Sequence, residues 1–457
     1  MKTGLVYSDE ISGANKFKPS FFLNEGKRIF VELQKNGHVI GQLSDIVSDT
    51  FRPGIFKRVF VNDIKHGDLY ITAQSMINQD PLDTAKILST KLTSNLESMR
   101  LKKNSILVSC AGTVGNIKLI NDNISEVIGS QDIIRVIPYN NNWGFVYAYL
   151  SSNPVYNYIQ SLIYGSVVTR IEPSAINSIP LYNFDNKLIL KVHSLIEESS
   201  TLKELAKKKQ DEAKITLSNY INISFSKENY KTSSISSKDL LNSLRVRLDP
   251  PALINDGVTA MKVILNKRNY KLIGNVSKVF RPGIFKRCYV KDGLSYIKGS
   301  EIFYENPFKR CDKLSRSRTP FIEEMALHEG QILVTCAGSV GNIKMITKEY
   351  DDKEAIGSQD IIRIEGNDSL YTKEYLFTYL SLPFVYDYIQ SMKYGSVIER
   401  IEPFHVESIP VVEPTEEISK KITNLIQSYM DCTYKAFKAE EEAISMVEAK
   451  IEKWNKH

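Results

Sequence analysis

The chain of 457 residues is 42% hydrophobic and 25% charged, proportions of an ordinary globular protein that exclude a disordered or membrane-embedded polypeptide. Its length exceeds what a single core fills, so two domains are expected. A formal charge of +6 from 59 basic and 53 acidic residues permits a polyanionic partner without requiring one, and charge placement has to decide.

Met1 to Asn15 lacks the apolar stretch of a secretory signal, and no run of about 18 apolar residues occurs, so a cytoplasmic location without a membrane partner is expected. Five cysteines (Cys110, Cys288, Cys311, Cys336, Cys432) form no CxxC pair and leave one over. They are read as reduced, mostly buried thiols.

Along the chain the first feature is a long internal repeat, which governs everything after it. Phe51-Arg-Pro-Gly-Ile-Phe-Lys-Arg58 returns unchanged as Phe280 to Arg287, and Ile128-Gly-Ser-Gln-Asp-Ile-Ile-Arg135 as Ile356 to Arg363. Cys110-Ala-Gly-Thr-Val-Gly-Asn-Ile-Lys118 returns as Cys336 to Lys344 with Ser339 in place of Thr113. Tyr164-Gly-Ser-Val167 returns as Tyr394 to Val397, and Arg170-Ile-Glu-Pro173 as Arg400 to Pro403. A Ser-Ile-Pro follows in both copies. The blocks keep one order, so each half is one complete domain.

Between the first blocks the copies diverge, Val59 to Met99 against Cys288 to Met325. A constant scaffold around a changed insert implies one task performed on two targets. Short β-like runs such as Ser105 to Ser109 and Ile133 to Ile137 lie between glycine turns, with helical stretches at Trp143 to Leu150 and Val155 to Leu162.

Each copy ends in a helical pattern. Leu188, Val192, Leu195, Ser199, Leu202, Ala206, Lys209, Ala213, Thr216, Tyr220 and Ile223 step by four and three. So do Ile418, Ile422, Leu425, Tyr429, Cys432, Ala436, Ala439, Ala443 and Met446. An apolar 4-3 seam on a Lys/Glu background predicts two coiled-coil helices. At nearly 40 residues each spans about 55–60 Å, the length of a spacer. The expected fold class is α+β: two homologous α/β domains joined by two long antiparallel coiled-coil helices with pseudo-twofold symmetry. The expected boundaries are 1–184 and 225–414 for the domains, and 185–224 and 415–457 for the spacer helices.

Enzyme chemistry finds little support. The GxxG of Ala111 to Asn116 lacks the spacing of a phosphate loop and reads as a strand-to-strand turn. Asp249-Pro-Pro-Ala252 has alanine where an adenine methyltransferase motif has an aromatic residue to stack on a flipped base. None of the six histidines recurs in both copies, whereas a duplicated active site repeats its acid-base groups.

What recurs suits phosphate and base contact. Lys57, Arg58, Lys286 and Arg287 follow an Arg-Pro-Gly turn, and Lys118 and Lys344 lie beyond a glycine turn, where cations neutralise phosphates. The competing reading is a solvated strand edge. Tyr164, Ser166 and Arg170, with Tyr394, Ser396 and Arg400, combine a ring, a hydroxyl and a guanidinium around a glycine; the alternative is a helix cap. Gln131 and Gln359, inside an unchanged turn, read as scaffold. Base readout is expected where the copies differ: Gln74 and Ser75 against Lys298 and Ser300, with Arg316 and Arg318 present only in the second copy.

With its Gly-Ile-Phe-Lys-Arg, Cys-Ala-Gly-x-Val-Gly and Tyr-Gly-Ser-Val to Ile-Pro blocks in this order, the chain resembles the specificity subunits of type I, or type I-like, restriction-modification systems over essentially its whole length. The resemblance implies a non-catalytic protein in which each repeat is a target recognition domain reading one half of a bipartite site on double-stranded DNA. The helical pair then fixes the gap. It further implies two DNA adenine methyltransferase subunits and a restriction subunit as partners. S-adenosylmethionine, ATP and Mg reside on those partners and no cofactor on this chain. The two modules are more alike than unrelated half-sites need, so a partly palindromic target is expected. The alternatives are a two-module nucleic-acid-binding regulator without methyltransferase partners, and a free-standing modification or cleavage enzyme.

Overall fold

The computed structural model of the protein describes residue 8 and residues 19–139, 142–165, 167–223, 236–237, 250–253 and 255–455. The chain divides into two units, residues 1–204 with 435–457, and residues 205–434. Both division points fall inside long helices, Asn186–Ile221 and Glu416–Asn455. Each helix therefore contributes to both units.

The first unit contains β1 (Val39–Gln42), β2 (Val47–Phe51), β3 (Phe60–Val61), β4 (Gly67–Ile71), β5 (Lys86–Ser89), β6 (Ile106–Ser109), β7 (Ile117–Leu119), β8 (Ile128–Gly129), β9 (Ile133–Pro138) and β10 (Pro180–Tyr182). One antiparallel sheet has the order β2-β9-β6-β7, a second the order β3-β5-β4-β8, and β1 pairs with β10. Only β4 and β8 run parallel among these pairs.

Alternation along β6 and β9 sets the layering, because successive side chains leave opposite faces of a strand. Ile106, Val108, Ile134 and Val136 enter a core shared with the buried helix Trp143–Ser151. Leu107 and Ile133 point the other way, into a core shared with Ile71 at the end of β4 and Met76 in the turn beyond it. The first sheet is thus covered on both faces, by helices on one side and by the second sheet on the other. Its two inner strands, β6 and β9, accordingly read as nearly continuous apolar runs.

Arg135 interrupts that apolar face. It stands opposite Leu107 in the β6–β9 pair and is only 1% exposed. Its guanidinium donates to the carbonyls of Ser130 (2.9 Å), Ile133 (2.6 Å), Gly129 (2.7 Å) and Met99 (3.3 Å), so β9 of one sheet is clamped to β8 of the other. Gly129 is required beneath it, since a Cβ there meets Nη2 at 2.8 Å.

The second unit repeats the plan with β11 (Tyr270–Leu272), β12 (Ser277–Phe280), β13 (Tyr289–Val290), β14 (Leu294–Ile297), β15 (Asp312–Leu314), β16 (Ile332–Thr335), β17 (Ile343–Met345), β18 (Ala355–Gly357), β19 (Ile361–Gly366) and β20 (Pro410–Val412). The orders are β12-β19-β16-β17, β13-β15-β14-β18 and β11-β20. Arg363 repeats the clamp on Ile361, Met325 and Gly357. The α+β fold of two homologous units is the one expected from the repeat.

Within the first unit the long helices run antiparallel. Asp185, just before the first helix, faces Lys450, and Ser199 donates to the carbonyl of Ala436. Lys203 pairs with Glu440, which also accepts from the Tyr147 hydroxyl at 2.7 Å. In the second unit Tyr220 donates to Glu413, immediately before the second helix begins. The 4-3 seam holds through Ala213 and Ala443, then moves one residue on, to Leu217 and Val447. A straight helix of 3.6 residues per turn drifts from a 3.5-residue repeat in this way. All five cysteines are free. Among the described residues no helix is long and apolar enough to cross a membrane.

His193 on the first long helix accepts the Gly144 amide through Nδ1 (3.2 Å) and lies edge-on to Trp143. Burial holds its pKa below the ordinary value. The unfolded chain therefore takes up a proton before the folded one does, and stability present above the ordinary value of about 6.5 is lost as pH falls through it. Thermal unfolding midpoints are expected to drop between about pH 7 and about pH 5, with a shallower dependence in His193→Gln.

Candidate nucleic-acid interface

The repeated blocks are far apart in sequence, yet in each unit they meet at one end of the inner strands of the first sheet, β6 and β9 or β16 and β19. The Cys110 amide donates to Asp132 (3.0 Å), the Gly112 amide to Thr169 (3.1 Å) and the Ile171 amide to Cys110 (3.1 Å). Tyr164 and Arg170 exchange backbone hydrogen bonds, closing a turn in which Gly165 has φ +90 and a Cβ would lie 2.4 Å from the Val168 carbonyl. Arg52 reaches Glu172 (3.6 Å), which also accepts from the Tyr164 hydroxyl.

The second unit reproduces this in detail. Cys336 donates to Asp360, Gly338 to Glu399 and Ile401 to Cys336. Arg281 pairs with Glu402 at 3.2 Å, and the Tyr394 hydroxyl donates to the same carboxylate at 2.5 Å. That hydrogen bond to Glu402 has its counterpart at Tyr164, whose phenol is pushed up in pKa by Glu172. Burial raises the Cys110 and Cys336 thiols, against the opposing pull of Arg52 and Arg281. The thiols lie buried beneath a tyrosine and a guanidinium–carboxylate pair, and this frame is built the same way in both units.

The expected contact residues divide by exposure. Lys57, Arg58, Lys286, Gln74, Ser300, Arg170 and Ser396 are exposed, and Tyr394 and Arg400 are half-buried. Among the described residues Arg58 approaches only the Tyr70 hydroxyl, at 3.5 Å. Its counterpart Arg287 is more engaged, donating to the Tyr296 hydroxyl (2.8 Å) and to Gln359 Oε1 (3.0 Å). Gln359 is scaffold in this sense, while Gln131 Oε1 is buried without a partner among the described residues. Arg316 pairs with Glu354 at 2.6 Å, and exposed Arg318 has no ion-pair partner among the described residues. Ser166 lies outside the described residues.

Three expectations are corrected. Lys118 and Lys344, placed by their sequence at a loop edge, are buried, and Lys118 donates to the Asn78 carbonyl at 2.8 Å. Lys118 stands opposite Leu107, on the face that the second sheet covers. Ser75 is buried too, its hydroxyl accepting from the Thr72 amide (2.8 Å) and donating to the Thr72 carbonyl (3.1 Å). None of the three presents a free group to a nucleic acid.

The divergent segments occupy one structural position. Thr72–Met76 follows β4 and Lys298–Ile302 follows β14, and each ends in a buried apolar side chain, Met76 or Ile302. The residue three positions on caps each turn: Ser75 takes the Thr72 amide and Glu301 takes the Lys298 amide. Lys298 is further tied to Asp312 at 2.8 Å. A shared turn thus carries different side chains in the two units. Arg52, Arg281, Glu172 and Glu402 were not singled out from the sequence; their recurrence inside repeated blocks was the available signal.

The family model of the type I restriction modification DNA specificity domain matches residues 43–182, in the first unit, and 269–445, which runs through the second unit and into the strip of the last helix that belongs to the first. The chain belongs to this family. Type I specificity subunits recognise DNA and are non-catalytic, in keeping with a surface built twice around one frame with a changed insert. Among solved structures, the S subunit of a type I restriction-modification system from M. genitalium is similar at 13% identity and a TM-score of 0.32, covering 93% of this chain and 97% of that one. The HsdS subunit from Thermoanaerobacter tengcongensis is similar at 14% identity and a TM-score of 0.28, covering 90% of this chain and 95% of that one. No curated protein matches the chain.

Proposed function

We propose that each unit of this DNA-recognition subunit reads one half of a bipartite site on double-stranded DNA, and that a methyltransferase subunit docks at each repeat. The observation that carries this reading is the pairing, in both units, of an unchanged cation-bearing edge with a turn whose side chains differ. The unchanged edge holds phosphate through Lys57, Arg58, Arg170 and their counterparts, giving affinity without sequence preference. Gln74 in one unit, and Lys298, Ser300, Arg316 and Arg318 in the other, meet base edges. A restriction subunit completes the complex. The partners bring S-adenosylmethionine, ATP and Mg, and this chain brings none of them.

Co-purification with the products of neighbouring genes, followed by mapping of methylated adenines in the host, tests the proposal. A bipartite methylated motif with related half-sites is the expected result. Recovery without a methyltransferase instead supports a nucleic-acid-binding regulator, and two half-sites sharing no bases removes the idea of a partly palindromic target.

The two arginines are expected to behave differently. Arg58→Ala removes a phosphate-facing cation with little structural loss, so DNA binding weakens across sequences and the salt slope falls by about one. Arg287→Ala also leaves Gln359 without its donor and lowers stability by about 1 kcal/mol. Affinity titrated against salt, alongside denaturant unfolding, separates the two. Unchanged DNA affinity in Arg58→Ala removes Lys57-Arg58 from the interface.

A further inference from the structure

Gly54 and Gly283 have no reason within their own units to be glycine. Neither takes a positive φ, and a Cβ added at either position meets nothing within 4 Å. Each nevertheless stands in an unchanged Arg-Pro-Gly-Ile-Phe-Lys-Arg segment, beside an isoleucine that is 92% exposed at Ile55 and 87% at Ile284. One exposed apolar side chain is ordinary; its return in both units, beside a glycine that the fold does not require, is not explained by packing within either unit.

The segment is built to present that side chain. Pro53 and Pro282 are buried, Phe285 packs in the core with Tyr296, and Phe56 packs against Tyr70, Leu88, Met99 and Ile128. With the residues on either side anchored, the Gly-Ile tip points outward. No backbone amide from Gly54 to Arg58, or from Gly283 to Arg287, enters a backbone hydrogen bond among the described residues. No acidic residue interrupts either segment, and Lys57, Arg58, Lys286 and Arg287 follow directly. An apolar tip beside cations, on a ribbon with unengaged amides, matches a duplex, which offers apolar sugar walls and base edges between rows of phosphate.

We propose that Ile55 and Ile284 are apolar wedges, each seated in a groove of the duplex, with Gly54 and Gly283 letting the backbone approach closely. The inference rests on the DNA-recognition reading above. Because the tip is identical in both units while the neighbouring turns differ, it contributes affinity and not sequence choice.

The test uses the full chain in complex with its methyltransferase subunits and fluorescently labelled duplexes carrying the methylated motif. Ile55→Asp with Ile284→Asp is expected to weaken binding by about tenfold or more, and Ile55→Val with Ile284→Val by less than about threefold, following apolar area. Ile55→Ala with Ile284→Ala falls between, a graded series that misfolding of one variant does not imitate. The order of preference among altered half-sites stays unchanged in every variant. Full affinity in the double aspartate variant overturns the proposal, as does a changed half-site preference. Loss of the methyltransferase with DNA affinity retained assigns the tips to a protein interface and overturns it equally. A wild-type complex that ignores DNA sinks the functional reading itself, a result distinguishable from all of these.

Discussion

Replacing Arg135 or Arg363 by leucine is expected to destabilise its own unit by about 2–4 kcal/mol and to loosen the sheet that carries the divergent turn. Two opposing effects decide the magnitude. Burying a guanidinium without a carboxylate is costly, and burial holds both pKa values down to about 10, so each remains charged at neutral pH. Removing that charge is favourable. Leucine, however, leaves the carbonyls of Ser130, Ile133, Gly129 and Met99 without their donor in a place water does not reach. The lost acceptor bonds, four at Arg135 and three at Arg363, outweigh the relief, because each unsatisfied buried group costs about 1–3 kcal/mol. Lysine is expected not to rescue, since a single ammonium on a flexible stem cannot span carbonyls that the planar fork reaches together. Hydrogen exchange provides the measurement: amides of β8 and β9 lose protection in Arg135→Leu, while those of β18 and β19 keep theirs. A change below about 0.5 kcal/mol, the ordinary range for surface substitutions, shows that the clamp is dispensable.

The second large effect concerns recognition. Transplanting the residues of Lys298–Ile302 onto positions 72–76 is expected to redirect one half-site and leave the other alone. The graft is structurally conservative, because the two turns share their cap and their buried last residue. One conflict arises. Tyr296 faces Asp312 across β14 and β15, whereas Tyr70 faces Lys86 across β4 and β5. The grafted lysine, which pairs with Asp312 at home, meets Lys86 instead. Lys86→Asp restores the pairing and belongs in the design. Methylome sequencing of a host carrying the repaired graft is expected to show a changed half-site, with each altered base pair worth about 1–3 kcal/mol of discrimination. An unchanged motif moves base readout to another part of the divergent insert, such as the segment around Arg316 and Arg318.

Much of the architecture was legible because the chain contains its own comparison. Recurrence of Phe51–Arg58 and Ile128–Arg135 fixed the two homologous units, and the 4-3 spacing located both long helices. Recurrence also marked Arg135, a charge within the apolar run Ile-Ile-Arg-Val-Ile, although its role needed the second sheet to be in view. Burial of Lys118 was illegible for the same reason. Ile117-Lys-Leu119 has the look of a strand with a solvated lysine, and only the packing of one sheet on another shows that the solvated face does not exist. Convergence of Arg52, Cys110, Asp132 and Glu172 likewise follows from strand order, which local sequence does not encode.

The division of the first long helix at residues 204 and 205, and of the second at 434 and 435, has a temporal consequence. Ala439, Ala443, Val447 and Ile451 complete the core that Val192, Leu195 and Ile196 begin. As the polypeptide emerges from the ribosome, the later-made unit has all its parts first. The earlier-made one must wait, partly open, for a strip of helix synthesised more than two hundred residues after its last sheet strand. Premature termination within that strip therefore injures the N-terminal unit and spares the one nearer the break.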